Sequence, residues 1–309
     1  GKAAARMALA VQTLLRERLA GGVIVVKRGY ELPIERIKVI EAEHPIPDEA
    51  GVDGARQVME LARRCGKKDL LFFLVSGGGS ALLPYPAAGL SLEDKRRTTE
   101  VLLRSGAKIQ ELNAVRKHIS QIKGGRLARA AIPATLISLI LSDVNNDSLE
   151  DIASGPTVPD PTTYGDCLRI IKHYGVERLI PPTVIRFLER GANGEIAETP
   201  KPADRIFHRV QNTVVGSNRL ALAAAQHRAE VLGYHTRVVS RNLEGESRVV
   251  AKSHAALIKE FHRTKTAACL PMCLLSGGET TVKVLGNGLG GWNQEFSLAA
   301  AIEIDGLDG

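Results

Sequence analysis

The five residues Ser76-Gly77-Gly78-Gly79-Ser80 follow the apolar run DLLFFLV. Glycines behind a buried strand let the backbone approach an anion closely and leave amide N–H groups pointing at it, so this loop is suited to cradling phosphate. A plain strand-to-helix connection has the same composition, and the Gly-Lys-Ser/Thr ending of a Walker loop is absent. Further on, NAVRKHIS and KGGRLA crowd Arg116, Lys117, His118, Lys123 and Arg126 together. Helical spacing keeps Arg116, Lys123 and Arg126 from all sharing a face with Lys117, so one subset can point into a cleft while the rest are solvated. Asp143 and Asp147 stand in SDVNND, after the run TLISLILS. Carboxylates at a strand's carboxyl end suit a phosphate-bound Mg²⁺, and equally an Asx turn.

A second Ser-Gly-Gly, at Ser276-Gly277-Gly278-Glu279, echoes the first as another strand-to-turn junction, with Glu279 adding an acid beside the amides. After it, Thr280-Thr281-Val282-Lys283-Val284 alternates polar and apolar side chains and predicts a strand with one face in water. Gly286-x-Gly288-x-x-Gly291 then opens a helix, with Asp305 or Asp308 near the spacing of a ribose-binding acid. Taken literally this is a dinucleotide fingerprint, but a half-wetted strand is unlike the buried first strand of such a unit.

These residues need elements to position them. Good helix formers run from Lys2 to Ala20 and stop at Gly21-Gly22. GVIVV and IKVIEAE predict strands, HPIPDEAG a turn with Asp48 as cap, and 48–65 a helix. The run at 69–75 is nearly all apolar, as expected of a strand buried on both faces of a parallel sheet, and TLISLILS at 135–142 reads as a second buried strand. Ser91-x-x-Asp94 is a capping box, residues 106–131 form a basic helical stretch, and SGPTVPDPTTYGD reads as loop. Later, RIFHRVQNTVV, HTRVVS and MCLLS predict strands separated by an Ala-rich helix to Leu232 and a helix over 246–264. The alternation predicts an α/β fold in two domains. Residues 1–203 form a Rossmann-like, mostly parallel sheet with helices on both faces. Residues 204–309 form a smaller α/β domain, reached through the Pro-rich stretch at 192–204.

With 44% hydrophobic residues in 309, the chain can bury a sizeable core, and its formal net charge of +7 favours anionic ligands. Aromatic residues, at 4%, are too sparse for stacked-base platforms, which argues against nucleic acid as a partner. Cys65, Cys167, Cys269 and Cys273 are scattered and read as reduced thiols. No apolar run reaches the roughly 18–20 residues of a membrane span, so the expectation is a cytoplasmic protein without a membrane partner.

On the runs GKAA, EAEHPIPDEAG, SGGGSALLPYP, SGAKIQELNAVRKHISQIKGGRLA, LILSDV with IASGPTVPDPTTY, ETPKP and LSGGETTVKVLGNGLGG-x-NQE, the chain resembles the class II glycerate kinases. In that family a glycerate-kinase N-terminal region is joined to a MOFRL region. The resemblance implies transfer of the γ-phosphoryl group of ATP, with Mg²⁺, to the 2-hydroxyl of D-glycerate, giving 2-phosphoglycerate. Lys2 of GKAA then matches the active-site lysine, residues 76–80 the cleft glycines, and Asn113, Arg116, Lys117 and His118 a motif facing substrate. Ser276, Gly277, Gly278, Glu279 and Asn293 are the nucleotide-side candidates, Asp143 and Asp147 the metal candidates, and His118 and Asp143 the candidate bases. Trp292 stands where the family has Arg, removing a cation that could clamp phosphate, and Asn146 must take a backbone position the family gives to Gly. Against the family pattern the chain lacks a leading strand and a trailing Asp- and Gly-rich motif. Two other functions remain open, a hydroxypyruvate reductase using NAD(P)H and an inactive anion-binding member; a homodimer is left open too.

Overall fold

The computed structural model describes residues 1–264, 271–284, 286 and 288–307. Cys269 and Asp308 lie outside the described residues. The chain divides into two compact units, Gly1–Val215 and Gly216–Gly309.

The first unit opens with helix α1 (Ala4–Leu15), strand β1 (Gly22–Lys27), strand β2 (Ile37–Ala42) and helix α2 (Glu49–Arg64). Strand β3 (Leu70–Val75), the short helix α3 (Gly79–Leu82), and helices α4 (Leu92–Arg104), α5 (Ile109–His118) and α6 (Arg126–Ala131) lead to strand β4 (Thr135–Leu141). Helices α7 (Tyr164–His173) and α8 (Pro182–Ala192) follow, then strand β5 (Val210–Gly216). β1 and β2 run parallel from Gly22↔Ile37 to Lys27↔Ala42, and β3 and β4 from Leu70↔Thr135 to Val75↔Ile140. β5 lies beside β4, so the unit holds a two-stranded sheet, β1-β2, and a three-stranded sheet of order β3-β4-β5. An apolar cavity of about 760 Å³ lies at β1 and β3, lined by Ala8, Val11, Ile24, Leu61, Leu71 and Phe73 among others.

Local chemistry explains the helices. Asp48 caps α2 by accepting from Gly51 N–H at 2.9 Å, and Ser91 and Asp94 form the reciprocal box that starts α4, each cap being worth about 0.5–2 kcal/mol. Small residues on α2, Gly54 and Ala55, let it press onto the sheet, where Met59 and Ala62 join Val25, Phe73 and Leu136 in one core. The basic stretch 106–131 is two helices, because Gly124 and Gly125 take positive φ of 56° and 76° and break the run. The Pro-rich segment 155–166 gives no hint of α7, yet Thr163 and Asp166 form its capping box. α7 and α8 bury Tyr164, Ile171, Val184 and Leu188 against Leu102 of α4 and Val115 of α5, a second apolar core.

The second unit contains α9 (Asn218–Val231), β6 (His235–Leu243), α10 (Ser247–Thr264), β7 (Met272–Gly278) and α11 (Trp292–Ile304). β6 and β7 are parallel, with register breaks between Val238 and Leu243. The strand expected at 280–284 does not form. Thr281 makes one isolated parallel bridge to Glu246, and Lys283 and Val284 are exposed, so the alternating pattern has no neighbouring strand to pair with. The strand expected from residue 205 begins at Val210, behind a 3₁₀ turn at Arg205–Arg209. No helix among the described residues is long and apolar enough to cross a membrane.

Candidate active site

The residues at 76–80 begin where β3 ends. The buried Ser76 Oγ accepts from Ala3 N–H at 2.9 Å, and the Gly77 carbonyl accepts from Lys2 N–H at 2.9 Å. Ser76 therefore ties the start of α1 to the loop and delivers Lys2 to it. Gly78 has φ 83°, a left-handed conformation that disfavours any side chain. A Cβ there would lie 3.1 Å from His44 Nε2 and 3.4 Å from Lys2 Cε; one on Gly77 would collide with Asp143 Oδ2. Lys2, His44 and Asp143 thus converge on two bare glycines whose N–H groups take no hydrogen bond among the described residues. Burial pulls the His44 imidazole below its usual value, Lys2 and Lys27 add to this, and Asp143 opposes it. The ring is neutral near pH 7. His44 was not among the expected site residues, although it lies two positions past the carboxyl end of β2, where parallel sheets place their ligands.

Behind the loop lies Lys123, only 1% exposed. Its ammonium donates to Ser80 O, Ser80 Oγ and Ala153 O, each at 3.1 Å. Ser80 Oγ meets Ser154 Oγ at 3.1 Å; Ser154 donates to Asn113 Oδ1 at 3.0 Å, and Asn113 donates to Asp151 at 2.8 Å. This network holds Ala153, Ser154 and Gly155 at φ 52°, 58° and 62° beneath Gly79. Burial pushes the Lys123 ammonium well below its usual range, and neighbouring Arg116 and Lys95 push it further. Asn146 takes φ 65°, the left-handed position required of it.

Residues 1–189 match the model of the domain of unknown function DUF4147, and residues 272–309 match the MOFRL family. The glycerate 2-kinase of Pyrococcus horikoshii is 44% identical over 309 residues, 100% of this chain and 69% of that protein. The chain belongs to the glycerate kinase family. A crystal structure of the glycerate kinase of Thermotoga maritima superposes with a TM-score of 0.89 at 39% identity, covering 100% of this chain and 72% of that one. A protein of Agrobacterium vitis named putative hydroxypyruvate reductase is 40% identical over 311 residues, 100% of this chain and 69% of that protein.

Within this chain the basic run splits in two, and neither Arg116 and Lys123 nor Lys117 and His118 are solvated. Arg116 and Lys123 lie together near the loop. Lys117 and His118 turn away into a buried ion cluster, with Lys117 Nζ 3.6 Å from Asp160 and the His118 ring 0% exposed. His118 Nδ1 faces Ala114 O at 2.8 Å and Nε2 faces Glu198 Oε2 at 3.1 Å, so both nitrogens face acceptors and neither is open to a substrate proton. Burial pushes the Glu198 carboxyl up, but hydrogen bonds from His118, Tyr164 N–H and Lys201 outweigh it and hold it at about 2. Asp147 sits in the 3₁₀ turn Asn145–Asp147 at φ 52°. No group of three metal-ligating side chains forms among the described residues.

In the second unit, Ser276, Gly277 and Gly278 are not a turn but the end of strand β7, with Ser276 opposite Ser240 and Gly278 opposite Leu243. Glu279 N–H donates to Leu243 O at 3.0 Å, and the Glu279 side chain is exposed. Asn293 and Trp292 are exposed at the start of α11. The dinucleotide fingerprint lacks its context, because among the described residues no strand lies between the end of β7 at Gly278 and the start of α11 at Trp292. Asp305 is the residue just past the end of α11.

Proposed function

We propose that the chain transfers the γ-phosphoryl group of ATP to the 2-hydroxyl of D-glycerate, forming 2-phosphoglycerate and ADP. The reading rests on the convergence of Lys2, His44 and Asp143 on the free amides of Gly77 and Gly78, in a chain similar to proteins named glycerate 2-kinases. Phosphoryl transfer asks a protein mainly for positioning and for stabilisation of spreading negative charge. The two amides and the Lys2 ammonium hold the transferring oxygens. His44, neutral and facing the loop through Nε2, accepts the hydroxyl proton as the new O–P bond forms and the bond to ADP breaks. Asp143 is exposed and has no hydrogen bond or ion pair among the described residues, which fits a Mg²⁺ ion that takes one or two carboxylates and keeps several waters. Such an ion would offset phosphate charge.

Lys2→Met lowers kcat for ADP release with D-glycerate about 100-fold or more if its ammonium meets developing charge. An unchanged kcat would reject that role. The parent's rate should fall on the acid side as His44 becomes protonated, at a pH below the ordinary imidazole value, and His44→Gln should remove that fall. NADH consumption with hydroxypyruvate would favour the reductase reading, and nucleotide binding without turnover the non-catalytic one.

A further inference from the structure

We infer that the guanidinium of Arg116, backed by Lys95 and Lys123, is the seat of the acceptor's carboxylate. This deepens the kinase reading and rests on it for the identity of the acceptor. The argument is one of unbalanced charge. Lys95 comes from α4, Arg116 from α5 and Lys123 from the turn before α6. Lys95 is 6% and Lys123 1% exposed, and their donors reach only neutral oxygens. Lys95 Nζ lies 3.4 Å from Arg116 O, and Lys123 is spent on Ser80 and Ala153.

The Arg116 guanidinium makes no hydrogen bond and no ion pair among the described residues, its carbonyl alone being met by Lys95, and among those residues no carboxylate lies within ion-pair distance of any of the three. Other cations of the same run are engaged. Lys117 meets Asp160 at 3.6 Å, Arg126 donates to Lys117 O at 2.9 Å, and Arg129 meets Asp204 at 3.8 Å. Buried like charges without a counter-charge are unfavourable, and an anion arriving from outside relieves them. Burial lowers the proton affinity of all three, and Arg116 lowers that of both lysines further.

The open end of the cluster is Arg116, since it alone of the three is not fully enclosed. Its planar fork matches a carboxylate through two parallel N–H···O bonds, with the two ammonium groups behind it supplying field rather than contact. Lys123 also holds Ser80, so the cluster flanks the glycine loop. In a 2-hydroxy acid the hydroxyl sits one carbon from the carboxylate, which asks that the carboxylate seat and the loop be neighbours, and Lys123 is the residue common to both.

Titration calorimetry without nucleotide tests the seat directly. Arg116→Met should weaken D-glycerate binding about 100-fold while ADP affinity stays within about 2-fold, and Arg116→Lys should recover part of the loss. In turnover the loss should fall on KM for D-glycerate, with the preference for D-glycerate over uncharged glycerol collapsing. If Arg116→Met does not fold, Arg116→Gln and Lys95→Met carry the same expectation at smaller size. Unchanged D-glycerate affinity, an equal loss of ADP affinity, or no binding of D-glycerate by the parent chain would each overturn the inference. Binding by the parent that Arg116→Met abolishes, without turnover in the parent, would keep the seat and remove the kinase reading.

Discussion

The two Ser-Gly-Gly segments share a sequence and differ in what surrounds them. In both, the first glycine is pressed by an oxygen-bearing side chain, Asp143 on Gly77 and Asn218 on Gly277. Asn218 also donates to Arg241 O at 2.8 Å, which makes it a structural strut. The first segment leaves its strand before the glycines begin, so Gly77 and Gly78 keep their N–H groups free. The second stays inside β7, and the next N–H, of Glu279, is also taken. Behind the first lies a buried ammonium, Lys123; beside the second lies an imidazole, His254, whose Nε2 is 2.7 Å from Ser276 Oγ. The same tripeptide leaves its glycine amides free in one place and ends a strand in the other, and the difference is set by residues far away in sequence.

The largest effect expected from breaking this contrast is with Gly77→Ala. The added methyl group must displace Asp143, and turnover should fall about 100-fold or more with the chain still folded, as expected for misplaced catalytic groups. Gly277→Ala collides instead with Asn218, so it should cost about 1–3 kcal/mol in thermal or urea unfolding. Next in size is Lys123→Met, which frees Ser80 and Ala153. It should lower kcat about 10-fold or more, a loss that Ser276→Ala does not reproduce.

The smallest effect concerns acid. Glu198 is held at about 2 in the folded chain against an ordinary 4.5, so the unfolded chain binds more protons there. The stability it contributes is present above pH 4.5 and is lost as pH falls toward 2, and Glu198→Gln should flatten that limb in a series of melting curves. Because Glu198 belongs to the first unit, that acid loss should appear in hydrogen exchange there and leave the β6–β7 pair unchanged.

Much of the scaffold was legible because it follows local rules. The apolar runs of β1, β3 and β4 and the caps at Asp48 and Ser91 are read directly from residue type and spacing. The α7–α8 pair was hidden because prolines at 156, 159 and 161 mask a capping box that begins only two residues later. The alternation at 280–284 misled because period-two patterning specifies a face and not a partner. Around the site, the glycines and Asp143 were visible from their place at strand ends. Lys95 was not, and the burial of Lys117, His118 and Lys123 was not either, because charged residues are usually solvated and only tertiary packing shows otherwise. His44 was obscured by the prolines that follow it.

Ala153, Ser154 and Gly155 wind three successive residues against the chain's natural hand, at about 1 kcal/mol or more for each of the two that are not glycine. Such a coil keeps its shape only while its tethers hold, and here the tethers are the same groups that fix Ser80. One ammonium therefore braces both segments, and its removal should loosen the coil and the floor under Gly79 together.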